Sequence, residues 1–169
     1  MNFNKIDLAL LDLLQKNISM PIDELARRVG LTKTPCWRRI QKLEKTGVIK
    51  GRVAILDGGM LERNVSVFVQ VKTSQHNRAW LEDFSKTVSD FPEVAGFYRM
   101  SGEYDYLLRV IVGDIAAYDD FYKRFIEATS LSDVTSNFAM EEIKNSTEIY
   151  LGKTGDDKND QTGETGKTH

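Results

Sequence analysis

The sequence has few of the residues that cross-link a chain or hold a metal. Its 169 residues include one cysteine, Cys36, which excludes a disulfide framework or a thiolate metal cluster within one chain. Two histidines, His76 and His169, are too few for a histidine-rich metal site. No uninterrupted apolar run reaches the roughly 18 residues that span a bilayer. Asp7 and Asp12 interrupt the opening MNFNKIDLALLDLL, which does not read as a secretory leader. These absences point to a cytoplasmic chain with no membrane partner, no metal and no other cofactor. What is present, 41% hydrophobic and 28% charged residues, suits one or two ordinary domains.

The net charge of −2 is a sum of unlike halves. Residues 1–52 hold eleven Lys and Arg against five Asp and Glu, a balance of +6; the rest hold twelve against twenty, a balance of −8. Between residues 27 and 52 nine basic side chains face Glu44 alone. Such a segment is either a solvated helix face or a polyanion-binding part, and spacing decides between them.

Three helices fit residues 4–46. The first, KIDLALLDLLQKN, puts Ile6, Leu10, Leu13 and Leu14 on one stripe, with Asn4 and Asp7 spaced for a capping box. The second, PIDELARRV, places Pro21 in its first turn and ends at Gly30. The third, TKTPCWRRIQKLEKTG, takes Thr32 as its cap, tolerates Pro35 in its first turn and closes at Gly47. Gly30-Leu31-Thr32 joins two short helices, as in a helix-turn-helix. Cys36, Ile40 and Leu43 of the third helix point inward at helical spacing, so Cys36 reads as a small hydrophobe. Lys33, Thr34, Arg38, Gln41, Lys42 and Lys45 fall mostly on the other side, with Arg39 flanking. Major-groove insertion needs such a face: arginine bonds guanine edges, while lysine and a helix N-terminus hold phosphates. Thr34 and Pro35 stand where the helix would first meet the groove. Trp37 reads as a packing residue at the domain edge.

Residues 48–57, VIKGRVAILD, are rich in β-branched side chains and read as a linking strand, followed by a turn at Asp57-Gly58-Gly59. Beyond residue 64 the periods alternate. VSVFVQVKT repeats every two residues, and NRAWLEDFSKTVSDF has helical spacing up to Pro92. EVAGFYRM and YDYLLRVIV flank the hairpin signal Ser101-Gly102-Glu103. IAAYDDFYKRFIEAT is helical again through Ile115, Tyr118, Tyr122, Phe125 and Ile126, and DVTSNFAMEEIK is a last strand. The order is the βαββαβ of a ferredoxin-like fold, so the chain is α+β: a helix-turn-helix domain over 1–47, a hinge over 48–63 and an α/β sandwich over 64–151. Helices cover one sheet face in that topology, yet Leu107, Ile111 and Phe68 make the other face apolar as well. A second copy of the chain is the economical cover.

Residues 152–169 lack large apolar side chains and read as an unfolded tail. Its repeated Gly-Lys-Thr is not a phosphate loop, because Gln161 stands where that loop needs its first glycine.

IDLALLDLLQKN, IDELARRVGLTKTPCWRRIQKLEKTGVIKG and GEYDYLLRV resemble the Lrp/AsnC (feast/famine) family of prokaryotic transcription regulators, from residue 5 to about 150. Lys33 departs from the pattern, since many members have proline there. The resemblance implies a winged-helix-like DNA reader, a hinge strand and a ligand-sensing domain. It also implies dimers through paired sheets, often assembled into tetramers or octamers, and amino-acid effectors held between ligand domains. By position the family pocket falls on Met100, Ser101, Gly102, Glu103, Tyr104 and Asp105 with Thr135, Ser136 and Asn137. TPCWRRI, GEYDYLLRV, YDDFYKRF and SDVTSNFAMEEIK look closest to a bacterial subgroup that responds to cysteine.

The expected DNA contacts are Lys33, Thr34, Pro35, Arg38, Arg39 and Lys42. The expected partners are double-stranded DNA on the nucleoid, a small amino acid and further copies of the chain. An architectural DNA-coating protein would share the basic helix but make the pocket structural. A small ferredoxin-like enzyme lacks support, having no triad, metal cluster or nucleotide loop.

Overall fold

The computed structural model describes residues 2–75 and 77–152, and the chain divides between Ala54 and Ile55. His76 and the predicted tail beyond Gly152 lie outside the described residues. One unit comprises residues up to Ala54 together with 145–152, and the other runs from Ile55 to Lys144.

The first unit holds α1 (Lys5–Lys16), α2 (Ile22–Arg28) and α3 (Lys33–Lys45). Asn4 and Asp7 form the expected capping box on α1, each side chain bonding the other's backbone N–H. Pro21 sits one position before the expected first turn, as the N-cap of α2, where its carbonyl takes the Glu24 and Leu25 N–H groups. Gly30 ends α2 at φ +67°, with Leu31 N–H on the Ala26 carbonyl and Gly30 N–H on the Arg27 carbonyl. A side chain there would be strained, and this left-handed turn is what swings the chain into α3. The core joins Leu10 and Leu14, Leu25 and Ala26, and Cys36, Ile40 and Leu43. Each fully buried leucine contributes about 1.5–3 kcal/mol.

Residues 48–57, expected as a linking strand, form none. Their β-branched side chains favour an extended chain, but a strand also needs a hydrogen-bonded neighbour, and none is present among the described residues. Residues 145–151, which sequence patterning assigns to the sheet domain, group instead with the helical unit. There Gln15 Nε2 donates to the Ile149 carbonyl and the Ile149 N–H donates to Gln15 Oε1, both at 2.9 Å. A side-chain amide thus pairs with the main chain as a neighbouring strand would.

The second unit runs β1 (Val65–Lys72), α4 (Arg78–Ser89), β2 (Val94–Arg99), β3 (Tyr106–Val112), α5 (Ile115–Ala128) and β4 (Asp133–Phe138). Its antiparallel sheet has the order β2-β3-β1-β4, the expected ferredoxin-like arrangement. Strand alternation sends Val67, Val69 and Val71, with Tyr106, Leu108, Val110 and Val112, to the helix-covered face. Phe84 and Val88 of α4 and Tyr118, Phe121 and Phe125 of α5 close that core. Ile115 and Ile126, expected inside by spacing, stay exposed at 70% and 43%. On the opposite face Phe68 and Tyr98 remain exposed, beside half-buried Leu107 and Ile111. β4 stops at Phe138, shorter than expected, and Arg109 reaches across to Glu142 at 3.3 Å.

Candidate functional site

Helix periodicity divides α3 as the sequence implies. Cys36, Ile40 and Leu43 are buried, while Thr34, Arg38 and Lys45 form an exposed ridge joined by half-buried Gln41. Two open clefts flank the ridge. Asn2, Asn4, Asp7, Pro35 and Arg39 line one, of about 510 Å³, and Trp37, Gln41, Lys45 and Thr46 line the other, of about 340 Å³. Arg38 and Lys42 line both.

The charges on this surface are unequal in their freedom. Among the described residues Arg38, Lys42 and Lys45 have no ion-pair partner. Glu44, the lone acid of the basic stretch, is held by Gln41 at 2.9 Å and by Arg52 at 2.7 Å. Lys33 pairs with Asp23 at 3.0 Å, but both are well exposed, so a phosphate can displace that partner at little cost. Arg39 differs: it is half-buried and bonds Asp7 at 2.8 Å. Its guanidinium links α3 to α1. Thr32 occupies the N-cap of α3, but its side chain makes no capping bond. Trp37, expected to pack, is 54% exposed. The inward stripe of α3 is filled by residues 36, 40 and 43, and Trp37 stands to one side of it.

A second cluster surrounds the β2–β3 hairpin. Met100 N–H donates to the Asp105 carbonyl at 2.8 Å and closes the loop, and Gly102 takes φ +139°, a conformation side chains avoid. Asp105 ties the hairpin to the end of β1: its N–H donates to the Val71 carbonyl and its carboxylate accepts the Thr73 N–H at 2.8 Å. That carboxylate is therefore part of the scaffold. Glu103 pairs with Lys72 at 3.0 Å, and the Lys72 ammonium sits 4.8 Å from the Tyr104 ring centre. The bond to Glu103 raises the Lys72 pKa above its ordinary value. Asp133 stands opposite Lys72 in the strand register.

The three consecutive residues of β4 do not act together. Thr135 and Asn137 lie on the open face beside Gln70, where Asn137 donates to Gln70 at 3.2 Å. Ser136 faces the helices and shares a hydrogen bond with the Tyr118 hydroxyl, whose pKa burial raises. A pleated strand sends successive side chains to opposite faces, so Ser136 leaves the candidate effector set. Lys72 and Gln70 were not singled out by sequence. The available signal was their place as polar breaks in the valine alternation of β1.

The cluster offers N–H groups and an ammonium for a carboxylate, and Glu103 and Asp133 for an ammonium. The basic ridge offers hydrogen-bond donors and free cations to a polyanion. Comparison with known proteins joins these features. Residues 3–50 match a winged helix-turn-helix DNA-binding family, and residues 66–149 match the Lrp/AsnC ligand binding domain. The DNA-binding transcriptional activator DecR of Escherichia coli (strain K12) is 48% identical over 149 residues, 88% of this chain and 98% of that protein. The crystal structure of an AsnC family transcriptional regulator from Agrobacterium tumefaciens matches with a TM-score of 0.85 and 53% identity, over 88% of this chain and 97% of that one. A Neisseria meningitidis transcriptional regulator in complex with L-Met gives a TM-score of 0.83 and 30% identity, over 89% and 97%. With a DNA-reading unit and a ligand-binding unit matched in this order, the chain belongs to the Lrp/AsnC family of DNA-binding transcriptional regulators.

Proposed function

We propose that α3 reads duplex DNA in the major groove and that a small amino acid at the hairpin cluster modulates that binding. The observation that carries the reading is the ridge itself. Arg38 lines both clefts and has no ion-pair partner among the described residues, which supports a base-edge contact, and Lys42, also lining both, supports a phosphate contact. Lys33, Thr34 and Pro35 form the leading turn of the same helix, and Arg39 holds that helix at its angle.

In the effector site, Lys72 and the hairpin N–H groups from Ser101 to Tyr104 take the carboxylate, and Glu103 takes the ammonium. Met100, Thr135 and Asn137 border the side-chain space. Support comes from the Neisseria meningitidis relative, which was solved with L-Met. The apolar open face, bearing Phe68, Tyr98, Leu107 and Ile111, is covered by the same face of a second copy, so that the site lies between paired sheets. Effector binding then changes the assembly or spacing of paired readers.

A thermal-shift screen of the twenty amino acids, with cysteine and methionine first, tests the site, because a ligand bound only to the native state raises apparent stability. A rise with one or a few amino acids is expected; a flat screen removes the effector reading. Competition with bulk DNA at fixed salt tests the reader. Retention of a selected duplex supports sequence-specific binding, and equal loss of all duplexes supports the architectural alternative.

A further inference from the structure

Trp37 is the one large exposed hydrophobic side chain among the described residues of α3. The chain's other tryptophan, Trp80, is stacked on Phe84 at 4.8 Å and packs near Tyr106. Trp37 instead lines the 340 Å³ cleft with Arg38, Gln41, Lys42, Lys45 and Thr46, a lining that contains no acid. The Glu44 carboxylate nearby is already held by Gln41 and Arg52. A large indole left in water within a ring of cations fits a polyanion that also offers an apolar spot.

Duplex DNA has such a spot in its major groove, the C5-methyl group of thymine. Thr34, Arg38, Gln41 and Lys45 can read donors and acceptors, but none presents a broad apolar surface to a methyl group. We propose that Trp37 is a specificity-determining residue that selects thymine at one flank of the bound site by packing its indole on the C5-methyl. The inference rests on the reading of α3 as the DNA-contacting helix. It makes a separate claim, that part of the sequence preference is apolar and comes from a residue with no hydrogen bond to a base.

Deoxyuridine substitution tests it, because it removes that methyl and nothing else. The full-length protein first selects preferred duplexes from a random pool. Each thymine of the selected site is then replaced in turn by deoxyuridine, and binding is measured with wild type, Trp37→Phe and Trp37→Ala. Wild type is expected to lose about three- to fivefold at one or two flanking thymines. Trp37→Ala should bind the parent duplex correspondingly more weakly and ignore the same substitution, with Trp37→Phe between them. A thermal melt shared by all three proteins separates a reading defect from misfolding. Identical deoxyuridine profiles for wild type and Trp37→Ala overturn the proposal while leaving α3 as the reader. So does an equal loss by Trp37→Ala on selected and bulk DNA, which is what a sugar or phosphate contact gives. If wild type selects no sequence at all, the proposal falls together with the reading of α3 as a sequence reader.

Discussion

Asp7 Oδ1 accepts the Arg39 guanidinium at 2.8 Å, while its Oδ2 accepts the Asn4 N–H at 3.3 Å. One carboxylate thus caps α1 and anchors α3 through a residue 32 positions along the chain. Arg39→Ala should lower unfolding free energy by about 1 kcal/mol, since the pair is half-buried. Asp7→Asn should lower it by about as much, and the double variant by less than the sum of the two. Urea titration checks this; an unchanged midpoint for Arg39→Ala would mean that the pair does not hold α3 to α1 in solution.

Arg38 and Lys42 should separate in their effects. Neither has an ion-pair partner among the described residues, so Arg38→Ala and Lys42→Ala should melt with wild type. Arg38→Ala should lose about 1–3 kcal/mol on the preferred duplex and relax its sequence preference. Lys42→Ala should weaken all duplexes alike and flatten the plot of log affinity against log salt by about one unit. Binding isotherms at three salt concentrations distinguish the two, and unchanged affinity in both variants would move the reading surface off α3.

The outward face of the sheet sets a third expectation. Phe68 is 38% exposed and pairs with Arg109 and Asn137 in register, at the middle of that face. Phe68→Asp should leave the monomer fold intact and shift the protein to monomers. Light scattering at micromolar concentration reads the change; a wild-type protein already monomeric there would dismiss the covering copy.

Gln15 and Ile149 exchange two hydrogen bonds at 2.9 Å. Gln15→Ala should release the returning segment at a cost of roughly 1 kcal/mol, which speeds exchange of the Ile149 amide hydrogen about fivefold. Gln15→Glu is the informative second variant, because it keeps the acceptor and removes the donor. Equal exchange rates in wild type and Gln15→Ala would mean that the pairing does not persist in solution.

Alkaline pH should weaken the fold. Burial raises the Cys36 pKa above 9.0, and burial likewise raises that of Tyr118 above 10.0. Both groups are neutral when protonated, so above these values the unfolded chain releases protons that the folded chain retains, and stability falls as pH rises. It is fully present below the unfolded pKa of Cys36. Urea midpoints should hold from neutral pH and then decline toward about pH 10. Cys36→Ala should remove the first part of that decline, and a midpoint indifferent to alkali would count against the burial of both groups.

Much of this molecule is legible in residue spacing. The 3.6-residue period separates Cys36, Ile40 and Leu43 from Arg38 and Lys45, and the two-residue period of β1 gives its buried valines. Spacing within one element cannot show a partner from another. The carboxylate that Arg39 bonds comes from α1, and the pairing of Lys72 with Glu103 depends on strand register and a hairpin 31 positions away. Ser136 illustrates the reverse. Resemblance grouped it with Thr135 and Asn137, but strand alternation alone predicts that its side chain points away from theirs. Residues 48–57 had the composition of a strand, but composition does not supply a hydrogen-bonding neighbour.

Cys36 is fully buried in the middle of the reader core, and burial favours its protonated form. Thiol–disulfide exchange needs an accessible thiolate, and the chain has no other cysteine. The folded reader therefore presents no cysteine thiol for disulfide exchange. Should the effector carry a thiol, Cys36 cannot join it in a disulfide while the reader stays folded.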